Sequence, residues 1–281
     1  MSTPSITLVC VENRNHALAK EMVAQTTSRM DFADIVMFSN QDNLIDGAKH
    51  VAIGDTMDIQ GYCDLILKGL VDHVKTDHVL IVQWDSMVYN SKRWTNAYLN
   101  YDYIGAPWPW QPTHSRVGNG GFSLRSRRLL EALQDPALVV DPTNYNSRQE
   151  DNFICLLHSE YLAQKYNIRW PDWSLAKEFS YELGDWEPDA WGFHGPWNVF
   201  RLAPKSTCEL FIDNMPWADL NRDKCHHIIF ETSHRNPNPE WTERLTSGLR
   251  QHKDSEFCIN LLKWFEIENN PLLPQLIARL S

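Results

Sequence analysis

Two adjacent carboxylates, Glu150-Asp151, stand at the head of an apolar helical pattern, and a lone carboxylate, Asp85, closes the run Val79-Leu-Ile-Val-Gln-Trp-Asp85. A carboxylate facing a hydroxyl can take its proton as that oxygen attacks, a general-base step that typically contributes about 10²–10⁴-fold. A carboxylate at the carboxyl end of a buried strand stands where ligands collect in an open α/β sheet, and its oxygens suit Mg²⁺ or Mn²⁺. Each has a plain alternative. Asp85 can cap its strand by accepting local amides, and Glu150-Asp151 can complement a helix N-terminus, worth about 0.3–1 kcal/mol. Two glycine-rich breaks complete the set. Gly118-Asn119-Gly120-Gly121 either lets a ligand approach the backbone or makes a tight turn, and Trp191-Gly-Phe-His194-Gly195 carries a histidine that is either a ligand or structural.

The elements that must position these groups are marked most plainly in the first half. Residues 6–11 and 34–38 read as buried strands, 50–53 as a short one, and 79–83 as the strand ahead of Asp85. Between them, 16–30 reads as a helix with Leu18, Met22, Val23 and Thr26 near one face. Tyr62, Leu65, Ile66, Gly69, Leu70 and Val74 repeat at helical spacing. Strands alternating with helices imply a mostly parallel sheet covered by helices. The prolines of Gly105-Ala-Pro-Trp108-Pro-Trp110 confine that stretch to loops or sheet edges. A helix is expected at about 127–133, and another from Glu150 with Phe153, Ile154, Leu157 and Tyr161 on one face. Residues 170–199 read as aromatic and irregular. Beyond Arg201, Arg235-Asn-Pro-Asn-Pro239 reads as a linker, followed by amphipathic helices at 256–265 and 272–280 that have no core of their own.

Composition narrows the classes. A length of 281 residues, 43% hydrophobic and 22% charged, suits a globular protein able to bury a full core. Lys+Arg 26 against Asp+Glu 36 leaves −10, which argues against nucleic acid as a partner. No apolar run approaches the roughly 18–20 residues of a membrane span. The start of the chain reads as a strand, without the marks of a secretion signal. Six scattered cysteines with no C-x-x-C pair suit reduced, buried thiols, and a cytoplasmic location is the expectation. Cys225-His226-His227 lacks further ligands at suitable spacing and is not read as a metal site. Most of the twelve tryptophans are assigned to the core.

Taken in order, Gln83-Trp84-Asp85, Tyr103-Ile-Gly-Ala-Pro-Trp108 with Val117-Gly-Asn-Gly-Gly-Phe-Ser-Leu-Arg125, Glu150-Asp151 and Trp191-Gly-Phe-His194-Gly195 resemble a bacterial family of GT-A-type glycosyltransferases, catalogued as a domain of unknown function. The resemblance spans roughly 6–199. It implies an α/β fold of GT-A type, with a mixed, mostly parallel sheet flanked by helices. The domains would be 1–200, the glycosyltransferase domain, and 201–281, a largely helical extension packed on it or appended to it. The implied activity moves a sugar from a nucleotide-sugar donor to a glycan or glycolipid hydroxyl, with inversion, and peripheral membrane contact is compatible with such an acceptor. In that family an Asp-x-Asp triplet holds a divalent metal against the donor diphosphate. Here Gln83 replaces the first acid, so the resemblance carries over Asp85, with His194, as the Mn²⁺ or Mg²⁺ ligands. It makes Asp151 the base, with Glu150 beside it. The donor side comprises Gln83, Trp84, Asp85, Asn13, Arg14, Asn40 and Lys68. The acceptor side comprises Trp108, Trp110, Asn119, Gly120 and Gly121.

Two other readings stay open. A nucleotidyltransferase or another nucleotide-sugar enzyme would use a similar sheet, but the basic, glycine-rich phosphate loop it needs after the first strand is replaced by Glu12-Asn13-Arg14-Asn15. A non-catalytic carbohydrate-binding protein would use the tryptophans and tolerate Gln83.

Overall fold

The computed structural model describes residues 5–111, 117–184, 186–218, 220–267, 270 and 272–280. The chain divides into two compact units, Met1–His194 and Gly195–Ser281.

The first unit is built on a six-stranded sheet, ordered β3-β2-β1-β4-β7-β6. Its strands are β1 (Ile6–Glu12), β2 (Asp34–Ser39), β3 (Lys49–Ala52), β4 (His78–Val82), β6 (Tyr103–Ile104) and β7 (Phe122–Ser126). The pairs among β1, β2, β3 and β4 are parallel, and β7 runs antiparallel to both β4 and β6. The mixed, mostly parallel sheet with flanking helices is thus the one observed. Both faces are covered, as parallel sheets require. Leu8, Cys10, Leu80 and Val82 pack on one side with Ala19 and Val23 of α1 (His16–Thr27). Val9, Val11, Ile81 and Val79 pack on the other with Ile66, Leu70 and Val74. These last follow α2 (Ile59–Asp64), whose N-cap Asp58 accepts from Gly61 N–H, and which winds on through a π-turn, Leu65–Gly69, and a 3₁₀ turn, Leu70–Asp72.

A second sheet, β5-β9-β8, joins β5 (Ser86–Val88), β9 (Gly192–His194) and β8 (Ser180–Tyr181). It corrects the reading of 170–199 as irregular, since that stretch also holds α6 (Trp173–Phe179) and the start of α7 (Pro196–Leu202). The helix α3 (Arg127–Ala132) follows β7. The helix begun by α4 (Glu150–Asn152) winds through a π-turn, Phe153–Leu157, before α5 (Ser159–Tyr166). Phe153 and Ile154 are buried as expected, but Leu157 is 40% exposed. The π-turn adds a residue per turn and rotates Leu157 off the apolar face.

The second unit continues from α7 through α8 (Lys205–Asp213), α9 (Arg222–Phe230), α10 (Pro239–His252), α11 (Ser255–Ile267) and α12 (Leu273–Leu280). Residues 235–239 are not a linker. Asn236 N–H donates to Glu231 O (2.7 Å) and Asn238 N–H to Thr232 O (2.7 Å), a tight helix-to-helix connection with Asn238 as N-cap of α10. Nor do the last helices lack a core, because Phe200, Phe211, Ile228, Ile229, Trp241, Leu245, Phe265 and Leu276 are all buried. Among the described residues no helix is long and apolar enough to cross a membrane. All six cysteines are buried and free.

Candidate active site

Strand pairing assembles the first part of the site. The chain leaves β4 at Val82 and turns over Gln83–Asp85, where Gln83 N–H donates to Ser86 Oγ (2.8 Å). It then enters β5, which pairs antiparallel with β9 so that Ser86 stands opposite His194. Asp85, one residue before that pair, is thereby brought to the imidazole, with His194 Nε2 3.5 Å from Asp85 Oδ1. On the far side of the ring, Nδ1 lies 3.0 Å from Glu182 Oε1. Burial alone would lower the His194 pKa. The carboxylates of Asp85 and Glu182 outweigh it and raise the group to about 10.

A deprotonated His194 Nε2 beside Asp85 Oδ1 could ligate a divalent cation, which would take the place of the imidazole proton. Two neighbouring ligands each about 2.1 Å from an octahedral Mg²⁺ lie about 3 Å apart, near the separation of Asp85 Oδ1 and His194 Nε2. Glu182 on Nδ1 holds the ring in place, as an outer carboxylate would for a ligating histidine. Among the described residues no group of three or more His, Cys, Asp or Glu is arranged to hold a metal. An ion here would therefore complete its shell from water and substrate oxygens, as Mg²⁺ commonly does.

The turn Gly118–Gly121 joins this group to the paired carboxylates. A Cβ on Gly121 would enter the His194 ring, and one on Gly120 would enter the Glu150 carboxylate. Only glycine permits both approaches. Asn119, just before them in the motif, adopts φ +23° and accepts from Gly121 N–H through Oδ1 (3.2 Å). Gly120 N–H donates to Asp151 Oδ2 (3.1 Å), and Asn152 N–H donates to Asp151 Oδ1 (2.7 Å).

The two carboxylates have separate environments. Glu150 is buried and faces Arg125, which is wholly buried; Arg125 Nη2 donates to Glu150 Oε1 at 2.6 Å. Its second oxygen accepts the Asp151 N–H (2.6 Å). Asp151 keeps a minor part of its surface exposed. Desolvation first, and the Glu150 charge second, raise its pKa to about 7, against the pull of the two amides and Arg125. A carboxyl poised near neutrality is what general-base chemistry favours.

The other candidates divide. Gln83 Nε2 donates to Tyr62 OH (2.9 Å), and Trp84 packs half-buried on the sheet core. Asn13 Nδ2 donates to the carbonyls of Asp55 and Met57 (3.1 Å each), and Asn40 Nδ2 to Asp55 Oδ1 (2.9 Å). These form a polar rim beyond the carboxyl ends of β1, β2 and β3, beside exposed Arg14. Lys68 is not brought to the rim, because its Nζ donates to Leu133 O beyond α3 and holds it in the helical layer. Trp108 is buried against Gly118, a wall, whereas Trp110 is 60% exposed.

Sequence reasoning gave no role to Glu182 or Arg125. Glu182 follows a two-residue strand too short to mark. Arg125 had a signal, since a cation within the alternation Phe122-Ser-Leu-Arg125 of a buried strand requires a buried carboxylate partner.

No curated protein matches the chain. Two solved glycosyltransferases are similar in structure at low identity. One is the mannosyltransferase PcManGT from Pyrobaculum calidifontis in complex with GDP-Man and Mn²⁺, at 12% identity and a TM-score of 0.43, covering 99% of this chain and 79% of that chain. The other is a glycosyltransferase involved in the glycosylation of the major capsid of PBCV-1, at 14% identity and a TM-score of 0.42, covering 74% and 97%. Residues 55–194, which include Asp85, the glycine turn, Glu150-Asp151, Glu182 and His194, match the family described as a protein of unknown function, DUF5672.

Proposed function

We propose that the protein is a nucleotide-sugar-dependent glycosyltransferase acting on a carbohydrate hydroxyl with inversion. The observation that carries this reading is the turn at Gly120-Gly121, which abuts the Asp85–His194 pair through one glycine and binds Asp151 through the other. A cation-binding pair and a carboxyl near neutrality thus flank one glycine-lined floor. Asp151 takes the proton of the acceptor hydroxyl as its oxygen bonds the anomeric carbon and the nucleoside diphosphate leaves, while Asp85 and His194 would hold a divalent cation and, through it, that diphosphate. A cation bound there would stabilise the departing phosphate as a Lewis acid. The polar rim of Asn13, Arg14 and Asn40 faces the nucleoside, and exposed Trp110 offers a surface on which an acceptor sugar can stack.

A nucleotidyltransferase reading is disfavoured by the first loop. Glu12 Oε1 accepts the N–H groups of Asn13, Arg14 and Asn15 at 3.0, 2.8 and 2.9 Å, so those amides are already engaged and do not form a phosphate cradle. The test is calorimetric titration of UDP and GDP into wild type and Asp85→Ala, each with Mn²⁺ and with chelator. Metal-strengthened binding that Asp85→Ala abolishes is expected, and equal affinity in all four conditions removes the metal role. Donor hydrolysis with Mn²⁺ separates an enzyme from a sugar-binding protein, which shows none.

A further inference from the structure

We infer that Arg125 is a positioning residue of this site, holding the Glu150–Asp151 carboxylates and the Gly120 amide in one fixed geometry while touching no substrate. The inference rests on the assignment of Asp151 as base.

The geometry is specific. Arg125 lies in the middle of an antiparallel pair, opposite Val79 on one side and Tyr103 on the other, so its backbone is fixed by two strands. Its side chain is wholly buried, with Nε donating to Ser123 Oγ (3.1 Å) and the guanidinium over the Tyr103 ring at 5.0 Å. Nη2 then meets Glu150 Oε1 at 2.6 Å. Ser123 Oγ in turn donates to Gly120 O (2.9 Å). One guanidinium therefore fixes the site from two directions, reaching Gly120 through Ser123 and Asp151 N–H through Glu150.

Helix-dipole complementarity at α4 asks for nothing of the kind, since an exposed acid would serve it. A buried ion pair is poor evidence for net stability, because desolvation offsets much of the attraction. What this pair does supply is orientation. Lysine at 125 keeps the charge but loses the planar fork that engages Ser123 and Glu150 together. A displacement of about 1 Å at a reacting group can cost about 10²-fold in rate.

The experiment compares Arg125→Lys with Asp151→Asn and with Arg128→Lys. Arg128 bonds Asp102 at the opposite end of β7, away from the glycine turn, and serves as a control for the loss of an arginine–carboxylate contact. Each variant is measured for kcat, donor KM and Tm. Arg125→Lys should lose about 10–100-fold in kcat, with donor KM within threefold, whereas Arg128→Lys should lower Tm without changing kcat. Near-normal kcat for folded Arg125→Lys, beside a large loss for Asp151→Asn, overturns the inference. So does a loss in Arg125→Lys that Arg128→Lys matches at equal Tm. Near-normal kcat for Asp151→Asn overturns the base assignment instead. If Arg125→Lys fails to fold, the charge-free pair Arg125→Met with Glu150→Gln replaces it. Full activity in that folded double variant also overturns the inference.

Discussion

As the proposed base, Asp151 would combine a need for ionisation with an environment that resists it. Its carboxyl is held near pH 7, from an ordinary value of 3.8, chiefly by burial and the neighbouring Glu150 charge. Two consequences follow from the sign. A base must be ionised, so transfer should rise with pH through about 7 and level off above it. Folding, by contrast, binds a proton that the unfolded chain has already released between about pH 4 and 7, so this group's contribution to stability falls as pH rises through that window. Asp151→Asn removes both effects. Turnover should fall by about 10²–10⁴-fold with donor affinity within a few-fold, while Tm rises above wild type at pH 8 and matches it near pH 4. Activity assays beside melting curves at the two pH values check this. A lower Tm at pH 8 together with near-normal transfer would leave Asp151 as a helix-end charge only. Glu150 behaves differently, because removing its charge strands a buried Arg125, so stability falls together with the orientation it gives Asp151.

At the scale of elements, the site depends on three short strands more than on the long ones. β1, β2 and β4 were legible because continuous apolar runs of β-branched residues leave few alternatives, and they placed Asp85 correctly at a strand's carboxyl end. β8 and β9 were not, since two or three residues among aromatics and glycines carry no period, and without them Glu182 had no reason to meet His194. The π-turns were equally hidden, because their hydrogen-bond shift leaves no mark in composition. The approach of β9 to the glycine turn makes a sharp prediction. Gly121→Ala places a methyl where the His194 ring stands and must push the ring from Asp85. The Mn²⁺-dependent part of UDP or GDP binding should drop by at least tenfold, while metal-free binding is retained. Calorimetry with and without chelator reads both numbers, and unchanged metal dependence would show that the ring has room to move without consequence.

On the whole molecule, a net charge of −10 works against an anionic donor, so the affinity proposed here must come from local cations. The second unit has a different physical basis, an all-helical core that sequence patterning concealed by suggesting a linker at 235–239. Phe200 of α7 packs edge-on against Phe211 (6.4 Å between centroids) and at a tilt against Trp241 of α10 (6.0 Å). Asn236 Nδ2 donates to Phe200 O (2.9 Å), Thr242 Oγ1 to Thr232 O (2.8 Å), and Asn270 Nδ2 to Ser233 Oγ (2.9 Å). Elements on either side of Arg235 thus share one interior. A chain ended after Arg235 loses Trp241, Leu245, Leu249 and Phe265, and each large core side chain is worth about 2–5 kcal/mol on truncation. That sum exceeds what α7, α8 and α9 can retain among themselves, given total stabilities of about 5–15 kcal/mol. The 1–235 chain should therefore lose more helical ellipticity than the deleted residues account for, and should bind a hydrophobic dye that the full chain does not. Ellipticity reduced only in proportion to the deletion, with no dye binding, would mean that α7, α8 and α9 form a core without α10, α11 and α12.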